Sequence, residues 1–142
     1  MREITTTYIV EPSRGEVCKV LTPRTIVECS ELYEIQSHDR TAAGEEIAVE
    51  FDDTVLRFGF TEQQNGYEYE LVGDSDLFEE YYSSVTVVER EETIITATCR
   101  YTLDSWLSFL LDRLAASTVE TELETMLSNL IEEVQQGESS EQ

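Results

Sequence analysis

Ile47-Ala48-Val49-Glu50-Phe51-Asp52-Asp53-Thr54-Val55-Leu56-Arg57-Phe58-Gly59-Phe60 is two alternating runs around a pair of aspartates. Ile47, Val49 and Phe51 take turns with Ala48 and Glu50. Leu56, Phe58 and Phe60 take turns with Arg57 and Gly59. Successive side chains of a strand point to opposite faces, so each run is a strand with one apolar and one wet face, paired antiparallel to the other. Asp52-Asp53 supplies the turn. The same period extends in both directions. Tyr33, Ile35 and Ser37 alternate with Glu34, Gln36 and His38, and Tyr67, Tyr69 and Leu71 with Glu68 and Glu70. Ala43-Gly44, Asn65-Gly66 and Gly73-Asp74 mark further turns. Two longer strands are expected at Phe78–Glu89 and Thr93–Leu103, joined by Arg90-Glu91-Glu92.

Outside this block the pattern changes. Residues Arg2 to Glu11 are rich in Thr, Ile, Tyr and Val and read as a first strand. Pro12 is expected to open a short helix carrying Val17, Val20 and Leu21, and Pro23 a second one carrying Ile26, Val27 and Leu32. Asp104 is placed to cap a long helix from Ser105 to about Gln135. Leu107, Leu110, Leu111 and Leu114 form one apolar stripe on that helix. Leu123, Met126, Leu127, Leu130, Ile131 and Val134 form another, roughly half a turn of the wheel away. One straight helix cannot lay both on one sheet, so a break or bend is expected near Ala115–Thr118. No repeat or linker interrupts the chain. The expectation is one domain over residues 1–136 and a polar, disordered tail over 137–142.

The charge is extreme. Asp and Glu number 31 against 9 Lys and Arg, a net charge of -22, and Lys19 is the only lysine. Such a chain repels itself at ordinary ionic strength. In molar salt the Debye length falls to roughly 3 Å and the repulsion is screened, which fits a halophile's cytoplasm. With no basic patch, binding to nucleic acid is not expected. The start lacks the apolar stretch of a signal peptide, and no run approaches the roughly 20 apolar residues of a membrane span. A cytoplasmic location follows as the expectation. Cys18, Cys29 and Cys99 are odd in number and widely spaced, as expected of reduced buried thiols.

Strand, two short helices, six strands and a long helix is an order that resembles the SRPBCC superfamily, also called START-like or birch-pollen-allergen-like. The resemblance is carried by Ile9-Val10-Glu11-Pro12-Ser13-Arg14-Gly15-Glu16-Val17-Cys18, Leu21-Thr22-Pro23-Arg24-Thr25-Ile26-Val27-Glu28, Gly66-Tyr67-Glu68-Tyr69-Glu70, Val85-Thr86-Val87 and Leu110-Leu111-Asp112-Arg113-Leu114. It is similar in particular to haloarchaeal members related to polyketide cyclases and dehydrases. Cys18 stands where that pattern usually has tryptophan, and Glu11 where it has alanine. The resemblance implies an α+β helix-grip fold: a seven-stranded antiparallel sheet curved around the C-terminal helix, with a pocket between sheet, helix and helix pair. It also implies an apolar ligand such as a lipid, isoprenoid, quinone or polyketide.

The alternation assigns Phe58, Phe60, Tyr67, Tyr69, Cys99 and Tyr101 to the concave face, and Trp106 and Leu110 to the helix that faces it. These eight are the candidate ligand-binding residues. They read equally as a pocket lining, in which phenol hydroxyls orient a ligand, or as core packing. His38, the only histidine, falls with Glu34, Gln36 and Arg40 on the polar side of its strand. A single imidazole excludes a multi-histidine metal site. Cys99 has only apolar and phenolic neighbours in view and is expected to be inert. The inward set contains no carboxylate, lysine or histidine, which favours a carrier of a hydrophobic small molecule, without cofactor or metal, over a cyclase, dehydratase or hydrolase. An interaction module whose pocket is filled by its own aromatics is the third class.

Overall fold

The computed structural model describes residues 2–42, 44–51, 54–73, 78–103 and 105–140, the side chains of 105–117 and 137–140 excepted. The chain runs β1 (Arg2–Val10), α1 (Arg14–Val20), α2 (Pro23–Ser30), β2 (Glu34–Thr41), β3 (Gly44–Phe51), β4 (Thr54–Gln63), β5 (Gly66–Leu71), β6 (Phe78–Glu89), β7 (Thr93–Leu103) and α3 (Ser105–Ser140). The strands form one antiparallel sheet in the order β1-β7-β6-β5-β4-β3-β2. Successive hairpins explain every neighbour except β1, which pairs with β7 because the helix pair carries the chain across the sheet.

The two short helices start where side chains can satisfy free backbone N–H groups. Ser13, not Pro12, caps α1. Its hydroxyl accepts from the Glu16 amide at 3.3 Å, and the Glu16 carboxylate accepts from the Ser13 amide at 3.3 Å. Pro12 precedes the cap instead of opening the helix. Ser13→Ala should cost about 1 kcal/mol, read as a shift in the urea midpoint at constant m-value. Thr22 caps α2 through the Thr25 amide at 3.1 Å, with Pro23 in the first turn as expected. Gly66 opens β5 with φ +154, and a Cβ there would lie 1.9 Å from the Val85 carbonyl oxygen. The Asn65-Gly66 turn therefore needs its glycine.

Two register shifts change which side chains face inward. Ile35 pairs with Val49, but Ser37 pairs with Ala48 and His38 with Ile47. Gln36 is the extra residue of a bulge, and one extra residue reverses the alternation beyond it. His38 is thereby moved from the polar face to the face of Ile47, and Ser37 the other way. His38 Nε2 lies 2.9 Å from Glu45 Oε2, and both are half-buried. A similar shift at Phe78/Glu80 leaves both Phe78 and Tyr81 facing inward, opposite Leu103 and Tyr101.

The core lies between the sheet and α2 and α3. Val17, Ile26, Ile47, Val49, Leu56, Val85, Val87 and Ile95 meet Leu123, Met126, Leu127 and Leu130, all essentially inaccessible to solvent. The break expected near Ala115–Thr118 does not occur: α3 is one helix from Ser105 to Ser140. No Gly or Pro falls between Ser105 and Gln136, so nothing local interrupts its hydrogen bonding. The second stripe is buried as its spacing demands, with Ile131 at the margin. The side chains of the first stripe lie outside the described residues.

Candidate binding site between sheet and helices

The concave face carries a run of aromatics. Phe60 stacks on Tyr69 with ring centroids 4.6 Å apart. Phe58 meets Tyr69 edge-on at 5.7 Å, Tyr33 at 5.5 Å and Tyr81 at 5.3 Å. Phe78 links Tyr81, at 5.1 Å, to Tyr101, at 6.0 Å. Strand pairing builds this run: Phe60 lies opposite Tyr69, Tyr69 opposite Ser83, and Ser83 opposite Cys99.

Of the eight residues chosen from the sequence, Phe58, Phe60, Tyr69, Cys99 and Tyr101 are buried together on this face. Tyr67 is only partly buried and sits apart, where Glu62, Glu45 and Cys18 are its charged or titratable neighbours. The side chains of Trp106 and Leu110 lie outside the described residues.

Glu122 is the residue that sequence reasoning missed. It projects from α3 into the interior and is 7% exposed. Burial pushes its carboxyl up to about 7, and a hydrogen bond from the Tyr33 hydroxyl opposes part of that rise. Tyr33, Tyr69 and Tyr81 surround it, and their phenols are raised in turn by burial and then by the nearby carboxylate. Burial raises the Cys99 thiol to about 11, so it is neutral and unreactive at neutral pH. Tyr81 and Ser83 were also missed. Both fall in step with Val85 and Val87 on the inward side of β6. Glu122 had a signal too: it follows Val119 by three residues and precedes Met126 by four, inside the apolar stripe.

The group is polar but incompletely bonded. Tyr81 Oη and Ser83 Oγ are fully buried and have no hydrogen-bond partner of good geometry among the described residues. Beside Glu122 a cavity of about 10 Å³ opens between Ile26, Ser30, Tyr33, Phe58, Tyr69 and Met126, room for about one water molecule. This space among the described residues is far smaller than the few hundred Å³ implied by a ligand pocket. Here Phe58 and Tyr69 pack closely against α2 and α3. The seam between those helices is joined by Asn129 Nδ2, which donates to the Cys29 carbonyl at 2.8 Å. Outside it lies an open groove of about 250 Å³ lined by Glu28, Glu31, Glu132 and Glu133.

No family model and no curated protein matches this sequence. Solved structures do match it in fold. The di-domain ARO/CYC BexL from the BE-7585A biosynthetic pathway superposes with a TM-score of 0.71 at 11% identity, over 92% of this chain and 49% of BexL, so the chain spans about half of that protein. Norcoclaurine synthase of Thalictrum flavum, in complex with a transition-state analogue, gives 0.69 at 13% identity over 96% of both chains. A START superfamily protein from Mycobacterium smegmatis gives 0.68 at 14%, over 94% of this chain and 97% of its own. The fold is the START-like helix grip. No helix among the described residues is long and apolar enough to cross a membrane.

Proposed function

We propose that the chain binds a hydrophobic small molecule between the concave sheet and α2 and α3, in a salt-rich cytoplasm. The observation that carries the reading is that the buried hydroxyls of Tyr81 and Ser83 lack a partner of good geometry among the described residues. An unsatisfied buried polar group costs about 1–3 kcal/mol, and phenylalanine at Tyr81 would avoid that cost. A site that hydrogen-bonds a ligand gives such groups a use. The apolar walls supply affinity at roughly 25 cal/mol per Å² of buried surface. The space beside Glu122 among the described residues admits about one water, so a larger ligand there needs the lining side chains to move aside.

In molar KCl, cis-parinaric acid should show saturable fluorescence enhancement, with a Kd in roughly the micromolar range. A Tyr69→Ala variant that remains folded should weaken it about tenfold. Uptake that rises linearly with probe and ignores the substitution overturns the reading. A second reading, acid–base chemistry in the same place, is supported by Glu122. A carboxyl poised near 7 is matched to proton transfer at neutral pH.

A further inference from the structure

Glu122 is an interior carboxyl with no opposite charge beside it. It is 7% exposed, and it lines a cavity of about 10 Å³ whose wall, among the described residues, includes no Lys, Arg or His. The Tyr33 hydroxyl donates to it, which leaves most of a carboxylate's roughly four acceptor positions open. From the sheet, Tyr69, Tyr81 and Cys99 are its titratable neighbours, each with its proton in place at neutral pH. From α2, Ile26, Val27 and Ser30 bring no ionisable group, and the Ser30 hydroxyl donates to the Val27 carbonyl at 2.7 Å. Three aromatic rings complete the wall: Phe58 stands 5.5 Å from Tyr33 and 5.7 Å from Tyr69. A carboxylate taken out of water needs a countercharge, and aromatic rings attract a cation through their quadrupoles. Both features of the wall favour a positive group.

We propose that this cavity seats a primary ammonium group, the charged end of an apolar amine, held by the Glu122 carboxylate and enclosed by Tyr33, Phe58 and Tyr69. The proposal rests on the small-molecule reading above and names the polar end of the ligand. Space sets the head group. A cavity of about 10 Å³ holds about one water-sized group, which admits NH₃⁺ and excludes a trimethylammonium. Tyr33, the lining residue that is only partly buried, has the most freedom to move aside for the alkyl chain. Charge sets the pH dependence. Burial lifts the Glu122 carboxyl to about 7, while an alkylammonium keeps its proton to about 10. Between those values both charges are present, and at lower pH the amine has to displace a proton from Glu122.

The test compares octylamine, 1-octanol and octyltrimethylammonium, which share one chain and differ in the head. Binding is followed by equilibrium dialysis in molar KCl, which screens attraction to the acidic surface. At pH 8 octylamine should bind at least about tenfold more tightly than either of the others. At pH 5, where Glu122 is protonated, that preference should largely disappear. In Glu122→Gln, which keeps the shape and an acceptor for Tyr33, octylamine should bind no better than octanol at either pH. The Glu122 carboxyl carbon, identified in NMR spectra by its loss in Glu122→Gln, should titrate at lower pH when octylamine is bound. Equal, saturable binding of octylamine and octanol, unmoved by Glu122→Gln, overturns the ammonium site and leaves the apolar pocket standing. Octyltrimethylammonium binding as tightly as octylamine assigns the preference to surface charge and also overturns the site. Saturable binding by none of the three overturns this proposal and the small-molecule reading together.

Discussion

Lowering KCl from molar concentration to about 0.1 M should unfold or loosen the domain, with a large fall in melting midpoint. The net charge of -22 is spread over a chain of 142 residues, and the fold brings like charges together at definite places. Glu34 lies directly opposite Glu50 across β2 and β3, a pairing that destabilises a sheet. Glu28 and Glu31 at the end of α2 share a groove with Glu132 and Glu133 of α3. Burial of the thiol, followed by the charges of Glu133, Glu28 and Glu31, raises Cys29 to about 12. When the Debye length grows from roughly 3 Å to roughly 10 Å, repulsion across that seam is no longer screened. Total domain stability is on the order of 5–15 kcal/mol, so many weak repulsions suffice to exhaust it. Glu132→Gln with Glu133→Gln should recover part of the loss at low salt and change little at high salt. Circular-dichroism melts with the same midpoint at both salts would refute the argument.

Replacing Glu122 by glutamine should stabilise the protein by up to about 3 kcal/mol at pH 8 and hardly at all at pH 4. Burial raises the carboxyl from its ordinary value of 4.5 to about 7. Over that interval the folded state keeps a proton that the unfolded chain has released. Stability from this group is fully present below about 4.5 and is lost as pH rises to about 7, where it levels off. At about 1.4 kcal/mol per pH unit, the interval amounts to about 3 kcal/mol. Tyr33, Tyr69, Tyr81 and Cys99 are raised above their ordinary values and keep their protons throughout. Glutamine keeps an acceptor for the Tyr33 hydroxyl and cannot ionise. Denaturant titrations in molar KCl from pH 4 to pH 8 should show the wild-type curve falling away from that of the variant. Parallel curves would mean that Glu122 ionises without a burial penalty and that the interior around it is wet.

The elements of the fold were legible because each has its own periodicity. Two-residue alternation marked Ile47 to Phe60, Tyr67 to Leu71 and the long strands after Phe78, and the three- and four-residue spacing from Leu123 to Val134 marked the buried stripe of α3. The same alternation assigned six residues to the concave face, and five of them, Phe58, Phe60, Tyr69, Cys99 and Tyr101, are buried there. Periodicity is local, and it fails wherever one residue is inserted. The bulge at Gln36 could not be read from neighbouring residues, and it alone turned His38 toward Glu45. The half-turn offset between the stripes of α3 suggested a break, yet helical hydrogen bonds do not depend on which face is apolar, and α3 continues.

By itself the sequence determined the class of fold, the strand faces where no bulge intervenes and the burden of negative charge, all of which follow from residue type and spacing. Only the tertiary structure decided that Glu122, from a helix, meets Tyr33, Tyr69 and Tyr81, from three separate parts of the chain before and within the sheet. It also decided that the interior beside them closes to about 10 Å³. The elevated proton affinity of that carboxyl arises from desolvation, and desolvation belongs to the packed assembly and to no residue or segment alone.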